Sequence, residues 1–71
     1  MKLPRDVTGA AAARALQRLG YEIRRQTGAH LILRRGARTV VVPQHRPLKP
    51  GTLAGILEQA GVTLAEFMEE L

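Results

Sequence analysis

The 71-residue sequence predicts an α+β fold in the order α-β-β-β-α, with a three-stranded antiparallel sheet and a short C-terminal helix. Two observations carry this. Apolar residues recur with helical spacing at both ends of the chain, and three short segments rich in branched residues lie between them, separated by glycine turns. A third observation concerns charge. All eleven Lys and Arg residues fall in 1–50 against Asp6 and Glu22, whereas 51–71 carries Glu58, Glu66, Glu69 and Glu70 and no base.

The first helix starts after Thr8, a residue that can cap it, with Val7 placed to staple the entry. Ala12, Ala15, Leu16 and Leu19 then form one apolar stripe, and Gly20 stops the helix. Tyr21-Glu22-Ile23-Arg24 alternates apolar with charged, as a half-buried strand does. Thr27-Gly28 reads as a turn, and Ala29-His30-Leu31-Ile32-Leu33-Arg34 as the second strand. Arg35-Gly36-Ala37 holds the second turn, with Gly36 free to take positive φ. Arg38-Thr39-Val40-Val41-Val42 is the third strand, ended by Pro43. Two short turns between consecutive strands make an antiparallel meander.

Residues 44–49 form a polar loop, and Pro50 suits the first position of a second helix. Leu53, Ile56, Leu57 and Ala60 give its stripe, and Gly61 its end. Thr63 and Glu66 have the spacing of a capping box, so Leu64, Phe67, Met68 and Leu71 belong to a short third helix. The simplest packing puts the helices on one face of the sheet and leaves the other to solvent or a ligand. This element order is that of a double-stranded-RNA-binding domain, an analogy of fold alone.

Length and composition narrow the functional classes. Seventy-one residues make a single domain, 1–71, with a thin core and only shallow sites. The absence of cysteine excludes disulfides and thiolate metal sites, and two histidines cannot complete a structural zinc site. No apolar run approaches a membrane span. The start, Met1-Lys2-Leu3-Pro4-Arg5-Asp6, has no secretory apolar stretch, which predicts a cytoplasmic protein. The segregated charge predicts a surface for a polyanion. Nine of the eleven bases are Arg, whose fork grips phosphate in two places. With only Tyr21 and Phe67 as aromatics, recognition by base stacking is not expected.

Among the polar residues His30 stands out. It follows a glycine turn near the start of a strand, with small Ala29 before it. An imidazole exchanges protons near neutral pH, and RNA carries its own nucleophile in the 2′-OH. Arg24, Arg25, Arg34 and Arg35 lie on strands beside that turn and could supply cations for a phosphate. From spacing alone, His30 reads either as such a group or as a plain surface histidine. His45 likewise reads as a loop histidine, a helix cap or a phosphate contact. Lys49 is the one base at the start of the second helix, where a double-stranded-RNA binder carries several. No Gly-rich phosphate loop, carboxylate pair or Ser/His/Asp set is present.

Three motifs then stand in order: Gly28-Ala29-His30, Val42-Pro43-Gln44-His45, and Lys49-Pro50-Gly51-Thr52-Leu53-Ala54-Gly55-Ile56-Leu57-Glu58-Gln59-Ala60-Gly61. Together they resemble a HicA-type toxin of the YcfA-like family over nearly the whole chain. That resemblance implies a small ribonuclease that cuts mRNA without a metal or other cofactor and is held inactive by a HicB-like antitoxin. It puts the family's catalytic histidine on His30 and its flanking glycine on Gly28. Two positions depart from the pattern. Ala29 stands where the family has Ser or Thr, and Leu31 where a second histidine is common. These departures bear on catalysis more than on the fold or on the antitoxin partnership. A non-catalytic RNA-binding module, or a catalytically weakened relative that still binds its antitoxin, is the alternative expectation.

Overall fold

A computed structural model describes residues 3–71; Met1 and Lys2, the first two residues of the start read above, lie outside it. The elements are α1 (Gly9–Arg18), β1 (Glu22–Thr27), β2 (His30–Arg35), β3 (Arg38–Pro43), α2 (Pro50–Ala60) and α3 (Leu64–Glu69). The predicted α-β-β-β-α order with a short terminal helix is therefore observed, and the strands form one antiparallel sheet in the order β1-β2-β3.

The helix ends follow their caps. Thr8 Oγ1 accepts from the Ala11 N–H at 3.0 Å, satisfying one of the free donors of the first turn of α1. Thr63 and Glu66 form a reciprocal capping box at α3. Gly20 lies just past the α1 cap at φ 99°, and Gly61 closes α2 at φ 65°, a backbone state that glycine enters without penalty.

The core is one cluster. Ala12, Ala15 and Leu16 of α1, Leu33 and Val40 and Val42 of the sheet, Leu53 of α2 and Phe67 of α3 are all essentially inaccessible to water. The alanines of α1 keep that helix close to the sheet. Gly9 carries this furthest. A Cβ there would overlap the Pro43 carbonyl oxygen and stand 2.7 Å from Gln44 Cα, so only glycine lets α1 begin against the end of β3. The Gly9 N–H in turn donates to the His45 carbonyl at 2.9 Å, and the Leu48 N–H to the Val7 carbonyl at 2.7 Å.

Three details differ from the sequence reading. The first strand is not Tyr21–Arg24 but Glu22–Thr27, and all six of its residues are exposed. Tyr21 precedes the strand, buried, with its hydroxyl donating to the Ala60 carbonyl at 2.6 Å at the end of α2. The phenol is held by a helix terminus, which alternation along the strand cannot reveal. The second strand starts at His30, because Gly28 and Ala29 together form the hairpin loop. Finally, α3 ends at Glu69, so Leu71 lies beyond it; the helix buries Phe67 but leaves Met68 about half exposed, as Leu71 is, since a helix of six residues offers only one side to the core.

Candidate nucleic-acid interface

The register of the sheet sorts the basic residues onto faces. In an antiparallel pair, directly opposed residues project to the same side, and neighbours along a strand alternate. Val40 and Val42 are buried under the helices, so their partners Leu33 and Leu31 share the helix-bearing face. The opposite, open face therefore carries His30, Ile32 and Arg34 from β2, opposed by Pro43, Val41 and Thr39 from β3. On the other side of β2, Thr27 opposes His30, Arg25 opposes Ile32 and Glu22 opposes Arg34.

His30 thus stands at the hairpin end of the open face with Thr27 directly across from it. Arg25 is its diagonal neighbour, at about 7–8 Å between backbones by sheet geometry. Arg34 lies four places along the same strand, about 14 Å away. Its Nε donates to the Gly36 carbonyl at 2.8 Å, which fixes the side chain near the second turn. His30, Thr27, Arg25 and Arg34 are all exposed. Beside these cations the open face also carries three apolar side chains, half-buried Ile32 and Pro43, and Val41, exposed at 39%.

Gly28 permits the tight hairpin that presents His30. It takes φ 54°, and a Cβ there would meet no atom within 4 Å. The glycine therefore answers a backbone demand, and it also leaves the approach to the hairpin tip unobstructed. The Gln44 N–H donates to the Ala29 carbonyl at 2.6 Å, extending the β2–β3 ladder past Pro43. That bond anchors the start of the 44–49 loop to the hairpin tip. His45 follows next in the chain with its side chain exposed.

The remaining predicted contacts are dispersed. Arg24 is the extra residue of a bulge between Ile23 and Arg25 and has no partner on β2. Without this bulge Ile23 would oppose Arg34 on the open face and Glu22 would oppose Arg35 on the other, because a one-residue slip exchanges the faces of a strand; Arg25, between the bulge and the hairpin, keeps its face. Arg35 is on that helix-bearing face, opposed by Arg38. Its guanidinium lies over the Tyr21 ring at 4.8 Å from the centroid and donates to the Leu19 carbonyl at 2.7 Å. Lys49 is the N-cap residue of α2, away from the strand rows, and makes no side-chain capping bond.

Arg35 has two counterparts that the sequence reading passed over. Arg38 donates to the Gln59 carbonyl at 3.2 Å and Arg18 to the Glu70 carbonyl at 2.6 Å. Each of the three helices therefore ends against one guanidinium, where the unpaired carbonyls and the negative end of the helix dipole favour a cation. Part of the arginine excess serves the fold. Thr27 was also passed over. The signal was available: a two-residue loop places the residue before Gly28-Ala29 directly opposite the residue after it.

Elsewhere, a shallow depression of about 340 Å³ is lined by Pro4, Arg5, Asp6, Pro47, Leu48 and Pro50, and none of the open-face residues borders it. Among the described residues no helix is long and apolar enough to cross a membrane. No group of three or more His, Cys, Asp or Glu side chains is gathered among them either.

Fold and site together define a small α+β protein with helices on one sheet face and a basic, histidine-bearing open face on the other. The family model of the HicA toxin of bacterial toxin–antitoxin systems matches residues 9–62, from the first residue of α1 to just past the end of α2. The chain belongs to the HicA toxin family, and membership implies an antitoxin partner. No curated protein matches it.

Proposed function

We propose that this protein is a metal-independent endoribonuclease that cleaves mRNA, with His30 as general acid/base, and that a HicB-like antitoxin holds it inactive. The observation that carries this reading is the placement of His30 on an exposed sheet face beside Arg25, in a member of a toxin family. RNA brings the nucleophile. The imidazole of His30 takes the proton of a ribose 2′-OH, the freed oxygen attacks the adjacent phosphorus, and the bond from phosphorus to the 5′ oxygen breaks. A 2′,3′-cyclic phosphate and a 5′-OH end result, the leaving oxygen taking its proton from water. Arg25 is placed to neutralise the charge that gathers on the phosphate oxygens. Arg34 serves a neighbouring phosphate, so the strand runs along β2. Gly28, Arg24 and His45 serve this track from the hairpin, the bulge and the loop, and Lys49 is an outlying contact at the start of α2.

The experiment is cleavage of a labelled mRNA transcript by the purified wild type and by His30→Ala, paired with a growth assay. Loss of cleavage and of toxicity in the variant is expected. Equal activity of the two proteins defeats the reading. Tight binding that leaves the RNA intact in the wild type would favour a non-catalytic RNA-binding module, to which Ala29, which brings no hydroxyl, is the pointer.

The antitoxin masks the open face, because an acidic partner is steered to its cations. Protection of Arg25 and His30 from chemical modification in the toxin–antitoxin complex is the expected result. A complex that covers only α3 and leaves His30 reactive contradicts it.

A further inference from the structure

We infer that Thr27 is a phosphate-binding residue of the His30 site, its hydroxyl donating a hydrogen bond to a nonbridging oxygen of the scissile phosphate in the reacting state. This inference rests on the ribonuclease reading and adds to it a residue that neither the family match nor the motifs identify.

The argument is one of elimination and register. The chain has no serine and six hydroxyl-bearing residues. Thr8 and Thr63 spend their oxygens on helix caps, and Tyr21 is buried against Ala60. Thr52 lies in the first turn of α2, and Thr39 opposes Arg34 at the far end of the open face. Thr27 alone opposes His30, and it is exposed on the same face. Directly opposed residues hold their Cβ atoms about 5 Å apart, so a phosphate touching the imidazole is within reach of the threonine hydroxyl. The hairpin loop, Gly28-Ala29, offers no competing hydroxyl and no bulk.

The three side chains around such a phosphate then divide the work. His30 moves the proton, Arg25 supplies charge from the diagonal position, and Thr27 supplies a directed donor. A donor aimed at oxygens that gain charge during the reaction strengthens as the barrier is climbed, so its loss falls on kcat more than on KM. The two-residue loop fixes the opposition, which makes the hydroxyl preorganised rather than recruited.

The test compares wild type, Thr27→Val, Thr27→Ser and His30→Ala on one labelled mRNA transcript, with melting temperatures measured for all four. Thr27→Val keeps the shape and β-branching of threonine and removes the hydroxyl. It is expected to lower kcat by between about tenfold and a hundredfold, the worth of a hydrogen bond to a charged group, with little change in KM. Thr27→Ser is expected to restore most of that loss. If Thr27→Val cleaves like wild type while His30→Ala is inactive, the inference is overturned and the ribonuclease reading stands. If both Thr27 variants lose activity equally, the effect belongs to packing and the hydroxyl has no such role. If wild type cleaves no better than His30→Ala, both ideas fall together.

Discussion

The guanidinium of Arg35 lies over the ring of Tyr21, 4.8 Å from its centroid, and donates to the Leu19 carbonyl at the end of α1. Tyr21 in turn donates to the Ala60 carbonyl at the end of α2. One stacked pair therefore closes two helices at the edge of the sheet. It also takes Arg35 out of the group of arginines that face the proposed RNA track.

Tyr21→Phe is expected to destabilise the protein by about 1–3 kcal/mol, because it leaves the Ala60 carbonyl buried without its donor. In a chain of this size that corresponds to a fall in melting temperature of several degrees, read by thermal denaturation. Arg35→Ala should cost less, about 1 kcal/mol, as an exposed cation–ring contact does.

RNA affinity separates the arginines by face. Arg25→Ala should weaken binding of a single-stranded RNA and lower the slope of log K against log salt by about 0.7, the loss of one phosphate contact. Arg38→Ala, on the helix-bearing face, should leave that slope unchanged while lowering the melting temperature. A salt titration of both variants by fluorescence anisotropy checks the pair.

Gly9→Ala should be among the more damaging small substitutions in the chain, at about 1–3 kcal/mol of overpacking. Its methyl group would overlap the Pro43 carbonyl, and Pro43 is the direct partner of His30. Cleavage should therefore decline along with stability, even though position 9 touches no substrate. Denaturation and mRNA cleavage measured on the same preparation test the link.

Acid should loosen α3. The Glu66 carboxylate is held below its ordinary pKa, chiefly by the backbone N–H of Thr63 and then by the Thr63 side chain. A carboxyl with a depressed folded-state pKa adds stability that is present above its unfolded pKa and lost as pH falls through the folded one. Glu66→Gln keeps the reciprocal cap but has no proton to gain. Its melting temperature should therefore depend less on pH than that of wild type across the acid range. Equal pH dependence in the two proteins would remove Glu66 from the account.

Much of this molecule is legible in the order of its residues. The caps at Thr8 and Thr63, the glycines after α1 and α2, and the apolar stripes of both long helices depend on contacts within a turn or two. Local spacing therefore determines them. The same holds for the hairpins, since the Gly28 and Gly36 turns set the meander. Local order also singled out His30, which follows the first of these turns. What local order did not determine is which arginine faces what. The bulge at Arg24 sets Ile23 opposite Leu33 and Glu22 opposite Arg34, exchanging the faces that an unbroken strand would give them. Arg35, Arg38 and Arg18 find helix carbonyls 16, 21 and 52 residues away in the chain. Gly9 looks like an ordinary helix residue until Pro43 lies against it. The sequence by itself determined the elements and the histidine at the hairpin. Only the tertiary structure decided which arginines close helices and which stay on the open face, because long-range packing brings Arg18, Arg35 and Arg38 to their carbonyls.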